Sequence, residues 1–591
     1  MWEACLFRLL FKRSLLKLQD RNILINMKNF EIAKILYKIA DILEFQNVEF
    51  KPVAYRRAAN NIETMSEDIE YVYKQNKLEE IPGIGKNIAE KVAEIIESGK
   101  SKYFEYLKKQ VPVDLDELMA IPEIGPKKVR LLYEKLNIRN IKDLKKAAES
   151  HKIQKLKKMG IKTEDAILRG IEFLEKNKGR MLLGYVLPIT ESLEKELKSL
   201  KEVEIVNVAG SVRRMKETVA DIDVLVISKN PVRVIDFFTK LRGVKVIIAK
   251  GETKSSVRLD NGIQVDLRVV ERKSYGAALN YFTGNKEHNV ALRRIAQTKG
   301  LKLSEYGLFK KNRYVAGNDE NEIYKTLGLK YIEPELRENT GEIEASKLNK
   351  LPRLIGYDEI KGDFHLHTKF SDGINTIEEM ANAAKKLGYE YIAISDHSKL
   401  AVAGGMDDRA ILNYIKKIDK TNVSNIKIFK SSEVNILKEG SLDLKNSTLK
   451  ELDLVIGSVH SYFKQNKEET TKRLLKAMDN EYLTILGHPT GRLIGKRDAY
   501  EFDAEKIFEK ARERNIIMEI NSFPERLDLK DSLIKYAREF KVKFAINTDS
   551  HSTEHLHFIK LGVGQARRGW LESNDVINTY DLKKLGGFLG I

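Results

Sequence analysis

From Lys361 onward the chain sets out short apolar or β-branched runs, each ending on His, Asp or Glu. They read KGDFHLHTKFSDG, AISDHS, KSSEVNI, VIGSVHSYF, ILGHPTGR and NTDSHS, with helical patterns between them. Strand and helix alternating in this way predict a β/α barrel, in which side chains at the C-terminal ends of the strands converge on one face. The convergent set is His365, His367, Asp372, His397, Glu433, His460, His488, Asp549 and His551. A lone histidine is ordinarily a core or surface residue, but most of the chain's 10 histidines crowd into this region. Imidazole mixed with carboxylate suits Zn²⁺, Mn²⁺ or Fe²⁺ better than Mg²⁺ alone. The set is too large for a single ion, so two or three ions sharing a bridging carboxylate is the economical arrangement. Glu433, the only glutamate in the set, is the expected bridge. Such ions generate hydroxide near neutral pH and clamp a phosphoester, whereas structural zinc sites rarely use this ligand mix.

A second site of different chemistry is written between Gly210 and Asp266, in AGSVRR, ADIDVLVIS and QVDLRVV. Asp221 and Asp223 are two residues apart in an expected strand. Period-two alternation puts both carboxylates on one face, about 6.5–7 Å apart at the backbone, and turns Ile222 into the core. Asp266 lies in a second expected strand and joins them if the two are neighbours. Asp260-Asn261-Gly262 is a hairpin-turn signal just before it. Three convergent carboxylates supply the hard oxygens that a pair of Mg²⁺ ions needs for phosphoryl transfer. The Gly210–Ser211 turn lets backbone N–H groups and a hydroxyl approach a triphosphate, and Arg213 and Arg214 add fixed positive charge.

Upstream, Ile32, Ile35, Leu36, Ile39, Ile42 and Leu43 recur at near-helical spacing. IPGIGK follows, with Gly83, Gly85 and Lys86, and IPEIGPKK repeats the pattern with Gly125 and Lys127; LKKMGIKTEDAILRGI, from 156 to 171, is a degenerate third copy. Glycine turns between helices bring backbone N–H groups up to a phosphate at a helix N-terminus, so the repeats predict sequence-independent binding to a nucleic-acid backbone. The charge agrees: 104 Lys+Arg against 86 Asp+Glu leave a net +18, which favours a polyanionic partner. A chain of 591 residues is too long for one core and predicts several domains. With 42% hydrophobic and 32% charged residues it is neither a disordered nor a membrane chain. The single cysteine, Cys5, excludes a disulfide framework and fits a reducing cytoplasm. Residues 1–26 are too interrupted, by Arg8, Lys12 and Arg13, to span a bilayer, and are read as an upstream extension before a helical segment beginning at Met27.

The ordered set of Gly-Ser, Arg-Arg, Asp-x-Asp and a later strand Asp resembles the nucleotidyltransferase palm of family X DNA polymerases, the group that includes polymerase beta. YFTGNKEHNVALRR, from Tyr281 to Arg294, is similar to that family's segment for the incoming nucleotide and nascent base pair. The resemblance implies that Ser211, Arg214 and Gly210 grip the triphosphate and that Tyr281 and Phe282 flank the sugar. It further implies a close backbone turn at Gly284, minor-groove reading by Asn289 and a template contact from Arg293. Asn285 and Lys286 depart from the acid or small residue often found there. In the family's small N-terminal domain a lysine in the context GKNIAEK attacks 5′-deoxyribose phosphate; this likeness assigns Lys91 that role, beside Tyr55 and Lys51, although Asn87 departs from the usual basic residue. The barrel segment resembles the polymerase-and-histidinol-phosphatase (PHP) domain with all nine metal positions filled, and the likeness extends to GVGQARRGWLESNDVINT.

The fold implied is a multidomain α/β chain. It has an extension (1–26), a helical helix-hairpin-helix domain (27–105), a second such region (106–180), a palm (181–280), an α/β nucleotide-binding thumb (281–345), a linker (346–358) and a distorted β/α barrel (359–591). Mg²⁺ or Mn²⁺ is expected at Asp221, Asp223 and Asp266, and two or three Zn²⁺ or Mn²⁺ ions in the barrel. Gapped or primed double-stranded DNA and deoxynucleoside triphosphates (dNTPs) are the expected partners of a cytoplasmic monomer with no membrane contact. The expected function is short-gap filling in DNA repair with a 3′–5′ exonuclease. The alternative is a phosphoesterase whose palm only binds nucleotide or DNA.

Overall fold

Periodic apolar residues fold the N-terminal region as helices around one core, in which Leu36, Ile39, Ile62, Val92, Leu118, Val129 and Leu132 are fully buried. The computed structural model describes residues 29–590, apart from 30, 66–67, 120, 122–123, 157–158, 161–162, 165–166, 169, 172–178 and 400–404. The 1–26 extension and part of the third hairpin copy lie outside the described residues. Helices α1 (Lys86–Ser98) and α2 (Pro126–Leu136) each start directly after a glycine, Gly85 and Gly125, whose extended backbone forms the N-cap without a side-chain hydrogen bond. Among the described residues no side-chain oxygen of the N-cap covers their first N–H groups, which suit an external anion.

The central sheet follows helix α3 (Leu183–Lys198). Its strands are β1 (Val203–Val208), β2 (Asp221–Ser228), β3 (Val244–Lys250), β4 (Lys254–Leu259) and β5 (Gln264–Val269). They stand in the order β1-β2-β5-β4-β3. Only the β2–β5 pair is parallel. The alternation read from sequence holds: Ile222, Val224, Val226, Val265 and Leu267 point into a core shared with Leu183, Val186 and Leu197 of α3. The helix Tyr275–Thr283 runs through the expected palm–thumb boundary, and beyond it a small three-stranded antiparallel sheet spans 302–316.

Seven parallel strands then form the C-terminal sheet in sequence order: β6 (Gly362–Leu366), β7 (Tyr391–Ile394), β8 (Lys427–Asn435), β9 (Leu454–Ser458), β10 (Ile485–Leu486), β11 (Ile517–Asn521) and β12 (Phe544–Asn547). Every residue of β6, β7, β9, β11 and β12 is buried, as parallel strands covered on both faces require. The chain just past β12 returns to β6, where Leu366 bridges Ser550 and the His367 amide donates to the Ser550 carbonyl at 2.8 Å. The sheet is thereby nearly closed into a barrel.

The barrel packs directly on the polymerase-like part. Leu527 and Leu561 enter the palm core, and Trp570 enters the thumb core. The expected linker is not a free tether. Leu354 bridges Glu572 and Ile355 is fully buried, because these two residues of LPRLIG plug the joint between thumb and barrel. Among the described residues no helix is long and apolar enough to cross a membrane.

Candidate active sites

In the palm, parallel pairing of β2 and β5 sets Asp223 directly opposite Asp266, and Asp221 lies one pleat along from Asp223 on the same face. Burial, and then the charges of Asp221 and Asp266, push the Asp223 carboxyl up to about 7. Like charges held together in this way favour a cation between them. The donors are all hard oxygens, which fits divalent magnesium or manganese rather than a softer ion. Asp266 accepts from the Ser256 hydroxyl and, at 3.0 Å, from Gln264 Nε2. Gly210 has φ 63° and packs so tightly on the Asp223 carboxylate that an added β-carbon would sit 2.6 Å from Oδ2. The Gly-Ser turn and the carboxylates thus form one unit, with Ser211 in the short helix Gly210–Arg213.

The two arginines after the turn separate in role. Arg213, expected to face a triphosphate, instead donates to both oxygens of buried Glu320 at 3.0 and 2.7 Å and to the Thr283 hydroxyl at 2.7 Å. Its charge braces palm against thumb. Arg214 donates Nε to Glu338 Oε1 at 3.0 Å and Nη1 to the Thr283 carbonyl. It lies beside Gly284, where φ is 69° and an added β-carbon would come within 3.1 Å of Arg214 Nη1. Tyr281 and Phe282 meet edge-on at 5.1 Å, with the Arg268 guanidinium 4.6 Å from the Phe282 ring centre. Asn289 donates to the Tyr281 carbonyl at 2.7 Å, and exposed Arg293 donates back to the Asn289 carbonyl at 3.3 Å.

At the mouth of the barrel, Glu433 on β8 sits among imidazoles. Its Oε2 is 3.4 Å from His365 Nε2 and 2.8 Å from His397 Nδ1, and its Oε1 is 3.1 Å from His460 Nε2 and 2.8 Å from His488 Nε2. Asp372 Oδ2 lies 3.5 Å from His397 Nε2 and 3.3 Å from His551 Nε2, and Asp549 Oδ1 lies 3.2 Å from His367 Nε2. Burial opposes the charge on Glu433, but His460, His365 and His397 hold its carboxyl well below the usual range. Among the described residues three groups could each hold an ion, their ligand atoms within 4.8 Å of one another: His367, Asp372, His397 and His551; His365, His367 and Asp549; and His397, Glu433 and His460. His488 falls outside these groups and hydrogen-bonds Glu433 instead. Among the described residues, buried His365 Nε2, both ring nitrogens of His367, His397 Nδ1 and His488 Nδ1 make no well-aligned hydrogen bond, even where a carboxylate oxygen lies near. Buried polar atoms are normally satisfied, so this donor set fits metal coordination.

Sequence comparison agrees with both halves of this geometry. Residues 278–338 match the DNA polymerase beta thumb, 363–523 the PHP domain, 27–101 a helix-hairpin-helix domain and 115–172 a SAM-like helix-hairpin-helix tandem. A Bacillus subtilis (strain 168) protein named DNA polymerase/3′-5′ exonuclease PolX is 38% identical over 571 residues, 95% of this chain and 99% of its own. This chain belongs to the family X DNA polymerases that carry a PHP domain. The barrel alone is also similar to smaller proteins. A probable phosphatase of Thermoanaerobacter sp. (strain X514) is 31% identical over 240 residues, 38% of this chain and 93% of that one. A probable phosphatase of Caldicellulosiruptor saccharolyticus is 32% identical over 196 residues, 32% and 78% of the two chains. Membership of the family, with its PHP domain, makes divalent metal a requirement of the chemistry.

Several residues that shape the PHP centre were not legible as site residues. Fully buried Glu519 on β11 accepts from His365 Nδ1 at 2.7 Å and from the His488 amide at 2.5 Å, which turns His365 Nε2 toward the ligand cluster. Asn435 does the same for His460 at 2.8 Å, and the Asp549 carbonyl for His551 at 2.8 Å. In the palm the partner of Asp266 was within reach of the sequence. Counting outward from the Asp260–Gly262 turn places Ser256 opposite Asp266, the observed register. In the N-terminal domain Lys91 Nζ donates to the Asn87 carbonyl at 2.8 Å and lies 4.9 Å from the Tyr103 ring centre, with Tyr55 stacked on Tyr103. Lys86 opens α1 on the surface. Lys127, in the first turn of α2, reaches Glu44 at 3.8 Å.

Proposed function

We propose that this chain fills short gaps in DNA from its palm and trims DNA 3′ ends from its barrel, as part of DNA repair. The observation that carries the reading is the pair of dissimilar ligand sets on separate scaffolds, one made of carboxylates alone and one mainly of imidazoles. Divalent ions, Mg²⁺ or Mn²⁺ in the palm and Zn²⁺ or Mn²⁺ in the barrel, would supply charge neutralisation at phosphorus and, in the barrel, hydroxide near neutral pH. Asp221, Asp223 and Asp266 would hold the palm ions. The Gly210–Ser211 turn and Arg214 orient the triphosphate, Tyr281 and Phe282 flank its sugar, and Asn289 and Arg293 face the nascent pair and template. The helix starts at Gly85, Lys86, Gly125 and Lys127, together with the Gly83 turn, hold the DNA backbone without reading its sequence. Lys91 serves as the nucleophile toward 5′-deoxyribose phosphate. The Bacillus subtilis relative's name pairs the same two activities.

The test is one purified sample assayed on a one-nucleotide gap with dNTPs and on a 3′ overhang, with each divalent ion in turn. Ion-dependent extension together with ion-dependent 3′ trimming supports the reading. Trimming without extension under any ion would leave a phosphoesterase whose palm only binds.

A further inference from the structure

The loop 214–217 joins the Gly-Ser turn to the strand of Asp221 and Asp223, and the barrel holds this loop at three points. Arg568, the last residue of helix α4 (Ile559–Arg568), donates Nη1 to the Arg214 carbonyl at 2.8 Å and to Glu338 Oε1 at 3.1 Å. Its Nη2 reaches Asp531 Oδ2 at 2.5 Å. Arg492, after β10, donates Nη2 to Glu217 Oε2 at 2.8 Å. Gly564 lies so close to Met215 that an added β-carbon would fall 2.6 Å from the methionine methyl. Glu338 gathers the same elements from the thumb side. Its Oε1 also accepts Arg214 Nε at 3.0 Å, while Oε2 accepts Asn285 Nδ2 at 3.2 Å and lies 3.4 Å from Lys216 Nζ. Arg214 in turn donates to the Thr283 carbonyl, at the end of the Tyr281–Gly284 segment. The Arg568 side chain is only 3% exposed. Removing one member of such a buried charged group leaves its partners unpaired.

We propose that Arg568 of the barrel is a positioning residue for DNA synthesis, fixing Glu338 and through it the guanidinium of Arg214, so that the nucleotide site is complete only with the barrel docked. This rests on the reading of Arg214 as a triphosphate ligand. It gives the GVGQARRGW stretch a part in synthesis, although it lies in the nuclease domain. Glu338 and Thr283 occupy two donor positions of Arg214 and fix its plane, leaving its remaining N–H groups for phosphate.

The test measures kcat and KM for dNTP on gapped DNA, in the full chain, for Arg214→Ala, Arg568→Ala and the double variant. The 3′–5′ exonuclease of each sample reports an intact fold. Arg568→Ala should raise the dNTP KM about tenfold with exonuclease unchanged, and should add nothing further in the Arg214→Ala background. An Arg214→Ala variant with unchanged KM would overturn the triphosphate reading itself. A raised KM in Arg214→Ala with none in Arg568→Ala, or full additivity in the double variant, would overturn the positioning role alone. Should Arg568→Ala lose both activities, Arg568→Lys decides. It keeps the charge but not the fork that spans Glu338 and Asp531, and an unchanged KM there overturns the proposal.

Discussion

Gly210→Ala probes the unit formed by the Gly-Ser turn and the palm carboxylates. Gly210 has φ 63°, a conformation that costs a residue with a β-carbon about 1–2 kcal/mol. The added carbon would stand 2.6 Å from Asp223 Oδ2, against roughly 3.5 Å for ordinary contact, so the carboxylate must retreat by about 1 Å. Turning one side chain aside costs little stability, and the loss in melting should be no more than the backbone term. The chemistry is less tolerant, because Asp223 faces Asp266 across the strand pair and a displacement of about 1 Å in such a site lowers the rate about 100-fold. Single-turnover filling of a one-nucleotide gap should therefore slow by about two orders of magnitude, while exonuclease on a 3′ overhang stays at the parental level in the same sample. Gap filling by Gly210→Ala at the parental rate would refute the claim that the turn abuts the working carboxylate.

Three other perturbations address separate parts of the molecule. Glu519→Gln removes the charge that holds His365 Nδ1, and should raise the Mn²⁺ concentration needed for exonuclease about 10- to 100-fold without touching gap filling; an unchanged ion titration would count against it. Burial opposes the charge on Glu320, but Arg337 and Arg213 hold its carboxyl down to about 2, below its ordinary 4.5. Between those values the folded chain binds fewer protons than the unfolded one, so this stabilisation is full above pH 4.5 and is lost as pH falls toward 2. Melting of Glu320→Gln should accordingly show a flatter pH slope in that window than the parent, and identical slopes would refute the assignment. Lys91→Ala should abolish the borohydride-trapped adduct on nicked abasic DNA while gap filling persists; an adduct that survives the substitution rejects a lyase role for Lys91.

What the sequence made legible follows from range. The palm carboxylates could be read because strand alternation and the Asp260–Gly262 turn are local, and together they set a register. The candidate PHP residues could be picked out because each lies at or just beyond the C-terminal end of a strand, where a parallel barrel brings distant residues to one face. Arg213 misled because its acceptor, Glu320, is 107 residues away, and two adjacent arginines look alike until the fold separates them. Glu519 was hidden inside the apolar run IIMEIN, where nothing local distinguishes a carboxylate bonded to His365 from an ordinary strand residue. The stretch 346–358 reads as a charged linker, yet Leu354 and Ile355 pack because thumb and barrel close over them. The docking of barrel on palm through Leu527, Leu561 and the bond from Arg568 to the Arg214 carbonyl is likewise a product of tertiary contact that no periodicity records.

On this reading the chain carries two divalent-metal centres that share no ligands. Reciprocal inactivation is decisive here: the Asp221→Ala, Asp223→Ala double variant and the His367→Ala variant, each assayed with Mn²⁺ on a gapped duplex and on a 3′ overhang. The first should lose gap filling and keep exonuclease, and the second should do the reverse. Loss of both activities in equal proportion, in protein that melts like the parent, would mean that the two centres are not independent.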